Sequence, residues 1–215
     1  MELLTQFIDL VLHLDTHLAA LIAQYGTSIY LILFLIIFCE TGLVITPFLP
    51  GDSLLFVAGT MAAVGSMDVH GLFALLSLAA FCGDNTNYWI GHYVGPRIFR
   101  RERSRLLNPA HLQRTQRFYE KHGGKTIVLA RFMPIVRTFA PFVAGIGRMR
   151  YASFVFYSFS GSVLWISFFV YAGYYFGNIP FVKKNLTAFI LGVIVLSVLP
   201  GLITWLKERR RGKGA

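Results

Sequence analysis

Two runs of this 215-residue chain, 151–182 and 185–206, contain no charged residue, and a third, 69–96, contains only Asp84. A helix crosses the hydrocarbon core of a bilayer with about 20 apolar residues, so each run is long enough to be a membrane span. Overall the chain is 55% hydrophobic and 14% charged, with a mean hydropathy of +0.60. Soluble domains are about 25% charged. The composition therefore excludes a disordered chain, a disulfide scaffold and an ordinary cytosolic enzyme. The expected class is an all-α polytopic membrane protein.

Two further apolar stretches are of another kind. Residues 26–67 carry Glu40 and Asp52 around Pro47 and Pro50, and residues 126–147 carry Arg131 and Arg137 around Pro134 and Pro141. A charge at the centre of a lipid-exposed helix costs about 2.5–3.5 kcal/mol on insertion scales, and proline breaks the helical hydrogen-bond ladder. Broken helices at membrane depth persist only where protein covers them or water lines them. Both stretches read as re-entrant hairpins of two half-helices.

The net charge of +10 is segregated: nine basic residues lie in 97–125 and five in the tail 207–215, while 1–25 has none. By the positive-inside rule the central loop and C-terminus are cytoplasmic, and three spans then leave the N-terminus outside. Lys183 and Lys184 are a minority vote against this orientation. The basic excess is accounted for by orientation and anionic lipid, without nucleic acid. Residues 1–25 lack the basic start of a secretory signal and are expected to be retained. Their polar residues Glu2, Gln6, Asp9, His13, His17 and Gln24 recur at helical spacing, which predicts an amphipathic helix. Asn108-Pro109 and Gly123-Gly124 bracket a second one, on the cytoplasmic side.

The halves of the chain resemble each other. Phe48-Leu49-Pro50 matches Phe139-Ala140-Pro141, Phe56-Val57-Ala58-Gly59 matches Phe142-Val143-Ala144-Gly145, Met67 matches Met149, and Gly91–Gly95 matches Gly173–Gly177. Each repeat is then a hairpin plus one span, and an odd number of crossings inverts the second copy. Inverted repeats with broken helices are a transporter architecture. The expected organisation is an amphipathic helix 1–25, a first repeat 26–96, a basic loop 97–125, a second repeat 126–182, a span 185–206 and a basic tail 207–215.

Intramembrane ionisable residues point to function. Glu40 suits a proton site or an ion pair with an arginine. Asp52, in Pro50-Gly51-Asp52-Ser53, suits a helix cap that also couples to protons. Arginine stays charged and grips phosphate bidentately, so Arg131 and Arg137, flanking Pro134, suit a phosphate headgroup or the neutralisation of the two acids. Asp84, with Asn85, Asn87, Tyr88 and His92, forms a polar cluster within the first span, as interhelical hydrogen bonds would require. Cys39 and Cys82 lack metal-ligand spacing and read as small apolar residues. His13 and His17 find no third ligand, so no metal or other cofactor is expected. No nucleophile elbow, Gly-rich phosphate loop or HExxH is present, which argues against an enzyme.

Phe38-Cys39-Glu40-Thr41-Gly42, Pro47-Phe48-Leu49-Pro50-Gly51-Asp52-Ser53, Arg131-Phe132-Met133-Pro134-Ile135-Val136-Arg137 and Phe142-Val143-Ala144-Gly145 resemble motifs of the DedA family of bacterial inner-membrane proteins, which carry the VTT domain. The resemblance implies two opposed re-entrant loops, transport of membrane lipids and dependence on the proton motive force. Some members resemble translocases that return undecaprenyl phosphate to the cytoplasmic face. By motif, Glu40 and Asp52 fall on the family's essential acids, and Arg131 and Arg137 on its essential arginines. The expected partners are an anionic membrane lipid and protons, and self-association is left open. Two alternatives stand beside this reading: a passive phospholipid scramblase, and a proton-coupled exporter of small cations or drugs.

Overall fold

A computed structural model describes residues 14–43, 51–99, 124–131, 133–177, 179 and 192. Every regular element among them is helical: α1 Leu14–Tyr25, α2 Ile29–Gly42, α3 Gly51–Ala63, α4 Val69–Phe99, α5 Lys125–Ala130, α6 Pro134–Ile146 and α7 Tyr151–Gly177. Residues 1–13 of the expected N-terminal helix, the turn with Pro47 and Pro50, most of the basic loop, nearly all of the span at 185–206 and the basic tail lie outside the described residues.

The helices bury polar groups together with apolar ones and leave large apolar side chains outside. On α2, Ile29, Leu33, Ile37 and Glu40 are buried at spacings of three and four, while Leu31 and Leu35 are exposed. On α7, Ser158 and Ser162 are wholly buried, whereas Phe156 is 65% exposed and Phe168 59%. Water would penalise that arrangement; a hydrocarbon solvent favours it, because the only place to satisfy a polar group is against another helix.

Helix α4 runs unbroken for 31 residues, about 46 Å at 1.5 Å per residue. The expected span at 69–96 is thus one helix, although Asp84, Asn85, Thr86 and Asn87 make its middle polar. Helix α7 is apolar and long enough to cross. By contrast α2, α3 and α6, of 14, 13 and 13 residues, reach only about 20 Å. On the N-terminal side the structure departs from the expected separation at residue 25. Gly26, at φ 53°, does interrupt the helix there, but a single 3-10 turn, Gly26–Ser28, leads straight into α2. The result is an apolar helical stretch, His17–Gly42, long enough to cross a membrane. The interruption is local because the Ile29 amide bonds back to the turn carbonyls and the ladder resumes.

The residues fall into two compact units, one drawn from Met1–Phe34, Phe48–Leu76 and Ile166–Ala215, the other from Leu35–Pro47 and Ser77–Trp165. In the first, α1 packs on α3, and α3 lies against the C-terminal part of α7. A Cβ at Gly59 would strike the Val170 carbonyl, and one at Gly173 the Phe56 carbonyl. Thr60 Oγ1 donates to the Phe56 carbonyl at 3.1 Å and to the Gly173 carbonyl at 3.3 Å. In the second unit, α6 meets α4 in the same way: a Cβ at Gly145 would strike the Tyr88 carbonyl, and one at Gly91 the Phe142 carbonyl. One core cluster of this unit joins Tyr88, Ile127, Ala144 and Phe154, with the Tyr88 and Phe154 rings stacked at 4.4 Å. Tyr88 donates its hydroxyl to the Met149 carbonyl at 2.6 Å.

Helices α3 and α6 also end alike. After α3 the amides of Gly65 and Ser66 bond back to Ala62 and Met61; after α6 those of Arg148 and Met149 bond back to Gly145 and Ala144. Each cap turns on a left-handed residue, Gly65 at φ 85° and Arg148 at φ 51°.

Candidate functional site

The second unit encloses four charged side chains. Glu40 lies on the face of α2 that already buries Leu33 and Ile37, three residues past Ile37, so helical periodicity alone turns it inward. Arg131 occupies the break between α5 and α6. Arg137 sits on α6 one turn past the break, its amide bonded to the Met133 carbonyl at 2.9 Å. Asp84 is midway along α4.

They form two ion pairs. Arg137 Nη2 donates to Glu40 Oε1 at 2.5 Å. Arg131 Nη2 donates to Asp84 Oδ2, and the same carboxylate oxygen accepts from Ser158 Oγ at 2.6 Å. Arg131 Nη2 also donates to Ser162 Oγ at 2.8 Å, and Ser162 in turn donates to the Ser158 carbonyl at 2.8 Å. Both guanidinium groups lie over the indole of Trp165, Arg137 at 4.6 Å from the ring centroid and Arg131 at 5.7 Å. Asn87, wholly buried and one turn past Asp84, donates its amide to the Thr41 carbonyl at 3.1 Å and the Thr138 carbonyl at 2.7 Å.

Buried charges persist only when paired and hydrogen-bonded, and this cluster meets that condition with two acids against two bases. It is electrically balanced, planar at its arginines and backed by an aromatic face. Such a site suits an oxyanion that trades places with a carboxylate.

Of the residues singled out in the sequence, Glu40, Asp84, Arg131 and Arg137 come together here. The pairing is specific: Arg131 takes Asp84, and Arg137 takes Glu40. Asp52 belongs to the first unit, buried in the first turn of α3 with Gly51 and Ser53. Tyr88 is a core residue of the second unit. Pro134 opens α6, and Pro141 lies within it. His17 is on an exposed position of α1. Sequence reasoning missed Trp165, Ser158 and Ser162. Their only signal was spacing: Ser158, Ser162 and Trp165 recur at four and three, one stripe of a largely apolar helix.

Comparison with known proteins agrees with the resemblance in the motifs. The VTT domain matches residues 49–175, a range that contains Asp52, Asp84, Arg131, Arg137 and Trp165. Protein DedA of Escherichia coli K12 is 54% identical over 212 residues, covering 98% of this chain and 97% of that one. An uncharacterised membrane protein of Mycobacterium leprae is 42% identical over 84% of this chain and 81% of its own. Inner membrane protein YqjA of Escherichia coli K12 is 36% identical over 86% and 83%. No solved structure matches. These relatives support a place in the bacterial inner membrane. With a family domain over more than half its length and a relative alike almost end to end, this chain belongs to the DedA family of VTT-domain membrane proteins.

Proposed function

We propose that the protein is a proton-coupled translocase for an anionic membrane lipid, a polyprenyl phosphate such as undecaprenyl phosphate or a related phospholipid, and not an enzyme. The observation that carries this reading is the neutral, buried cluster of Glu40, Asp84, Arg131 and Arg137 around Trp165. A phosphate that enters it must displace a carboxylate from an arginine. The displaced acid, still buried, would be an unpaired charge costing several kcal/mol, and a proton removes that cost. Phosphate entry and proton uptake are coupled by electroneutrality, with Glu40 in the pair that opens. Asp52, in the family's motif, is the second acid of the coupling. The lipid tail stays among the exposed apolar side chains, so no wide aqueous pore is required.

The architecture belongs to the same proposal. Helices α3 and α6 are each shorter than a bilayer is thick, which suits arms of re-entrant hairpins. The matched glycine contacts and matched caps of α3 and α6 support an internal repeat, inverted if each copy crosses an odd number of times. The positive-inside rule places the basic loop and the C-terminus in the cytoplasm and, with three spans, the N-terminus outside.

The test is transport in proteoliposomes of defined lipid, with and without a pH gradient. Movement of a fluorescent polyprenyl phosphate should depend on the gradient and fall at least tenfold in Glu40→Gln. Gradient-independent exchange of many phospholipids would instead identify a passive scramblase. Unchanged transport in a folded Glu40→Gln/Arg137→Gln protein would sink the mechanism.

A further inference from the structure

Resting on the phosphate reading, we propose that Asp84 and Asn87 are positioning residues that hold one side of the site fixed, and that Arg137, not Arg131, is the arginine that exchanges its carboxylate for phosphate. Asp84 and Asn87 lie outside the sequence motifs that carry the family resemblance, yet both are buried and lie one turn apart on α4.

Arg131 is built into the frame. Its Nη2 donates to Asp84 and Ser162; Asp84 Oδ2 accepts from Ser158 as well, and Ser162 closes the ring on the Ser158 carbonyl. Its stem runs along α7 at Gly161, where a Cβ would come within 3.1 Å of Arg131 Nε and 3.3 Å of Cδ. An anion replacing Asp84 would break this ring and strand a carboxylate between two helices.

Arg137 is placed differently. Its guanidinium carbon lies 4.6 Å from the Trp165 ring centroid, against 5.7 Å for Arg131, and a guanidinium over a ring face keeps its N–H groups at its own planar edge, where an oxyanion binds. The carboxylate it would give up is Glu40. Val136 and Phe139, on other faces of the same helix, are 39% and 40% exposed, so α6 offers apolar surface to a lipid tail while it holds Arg137 inside. Asn87 bonds to the carbonyls of Thr41 and Thr138, the residues that follow Glu40 and Arg137, so it holds the backbones of that pair in register while the side chains part.

The experiment uses the full chain in nanodiscs with Trp89→Phe and Trp205→Phe, leaving Trp165 as the emitting indole. It is titrated with farnesyl phosphate and, separately, with inorganic phosphate. Displacement at Arg137 should change Trp165 emission. A response to farnesyl phosphate alone assigns the site to a lipid; a response to both shows that the phosphate group suffices. Arg137→Lys should weaken the response at least tenfold, whereas Arg131→Lys, which still pairs with Asp84, should stay within about threefold. Asn87→Leu should weaken it about tenfold. Asp84→Asn should lower the melting temperature, and Asp84→Asn/Arg131→Gln should recover it, because losing both charges strands neither. Equal losses in Arg131→Lys and Arg137→Lys, or an unaltered response in Asn87→Leu, overturn the proposal. A parent protein silent to both anions overturns the phosphate reading itself, and the melting cycle then decides the Asp84–Arg131 pairing separately.

Discussion

Trp165 connects two arginines that lie six residues apart and answer to different acids. Arginine over indole contributes about 0.5–2 kcal/mol, more where water is excluded, and the flat ring lets a guanidinium slide without losing the contact. A different single residue, Arg148, carries backbone strain. It caps α6 in the left-handed region at φ 51°, where α3 uses Gly65. An L residue there costs about 1–2 kcal/mol that glycine does not. Arg148→Gly should therefore raise the melting temperature by about 2–4 °C for a chain of this size, and Gly65→Ala should lower it by a similar amount. Thermal unfolding in detergent, followed by circular dichroism, checks both.

Between elements, the governing contact is glycine against a neighbouring carbonyl. Gly59 and Gly173 let α3 and α7 approach, and Gly145 and Gly91 do the same for α6 and α4. In lipid, helix association draws on close van der Waals packing rather than on the hydrophobic effect, so these four positions set helix separation. A methyl at any of them must push backbone, which has nowhere to yield. Gly145→Ala and Gly59→Ala should each cost about 1–3 kcal/mol, read as a lower melting temperature. Gly145→Ala should in addition weaken the proposed lipid transport, since Tyr88, which it would displace, stands one turn from Asp84.

At the scale of the whole molecule, charge predicts the orientation and helix length the crossings. Cysteines introduced at Arg101 and Lys213 in a Cys39→Ser/Cys82→Ser background should be protected from an impermeant maleimide added outside intact cells, while one at Asp68 should react. A cysteine at Glu2 distinguishes two arrangements. Labelling from outside fits three spans, whereas protection fits a crossing by His17–Gly42, which the joined α1 and α2 are long enough to make.

Much of this was legible in one dimension. Uncharged runs and prolines read locally, so the membrane class, the long helix at 69–96 and the break before Pro134 followed from the sequence. Glu40, Arg131 and Arg137 stood out because a charge within an apolar run is costly wherever the chain goes. Their partnerships were not legible. Asp84 and Arg131 are 47 residues apart and Glu40 and Arg137 are 97 apart, and which acid meets which base depends on the faces that packed helices present to each other. Trp165, Ser158 and Ser162 look like ordinary residues of an apolar helix until an arginine lies against them. The sequence alone determined the solvent, the helices and the cost of each buried charge; only tertiary packing decided how those charges were paired, because pairing is a matter of angstroms between elements that the chain itself leaves far apart.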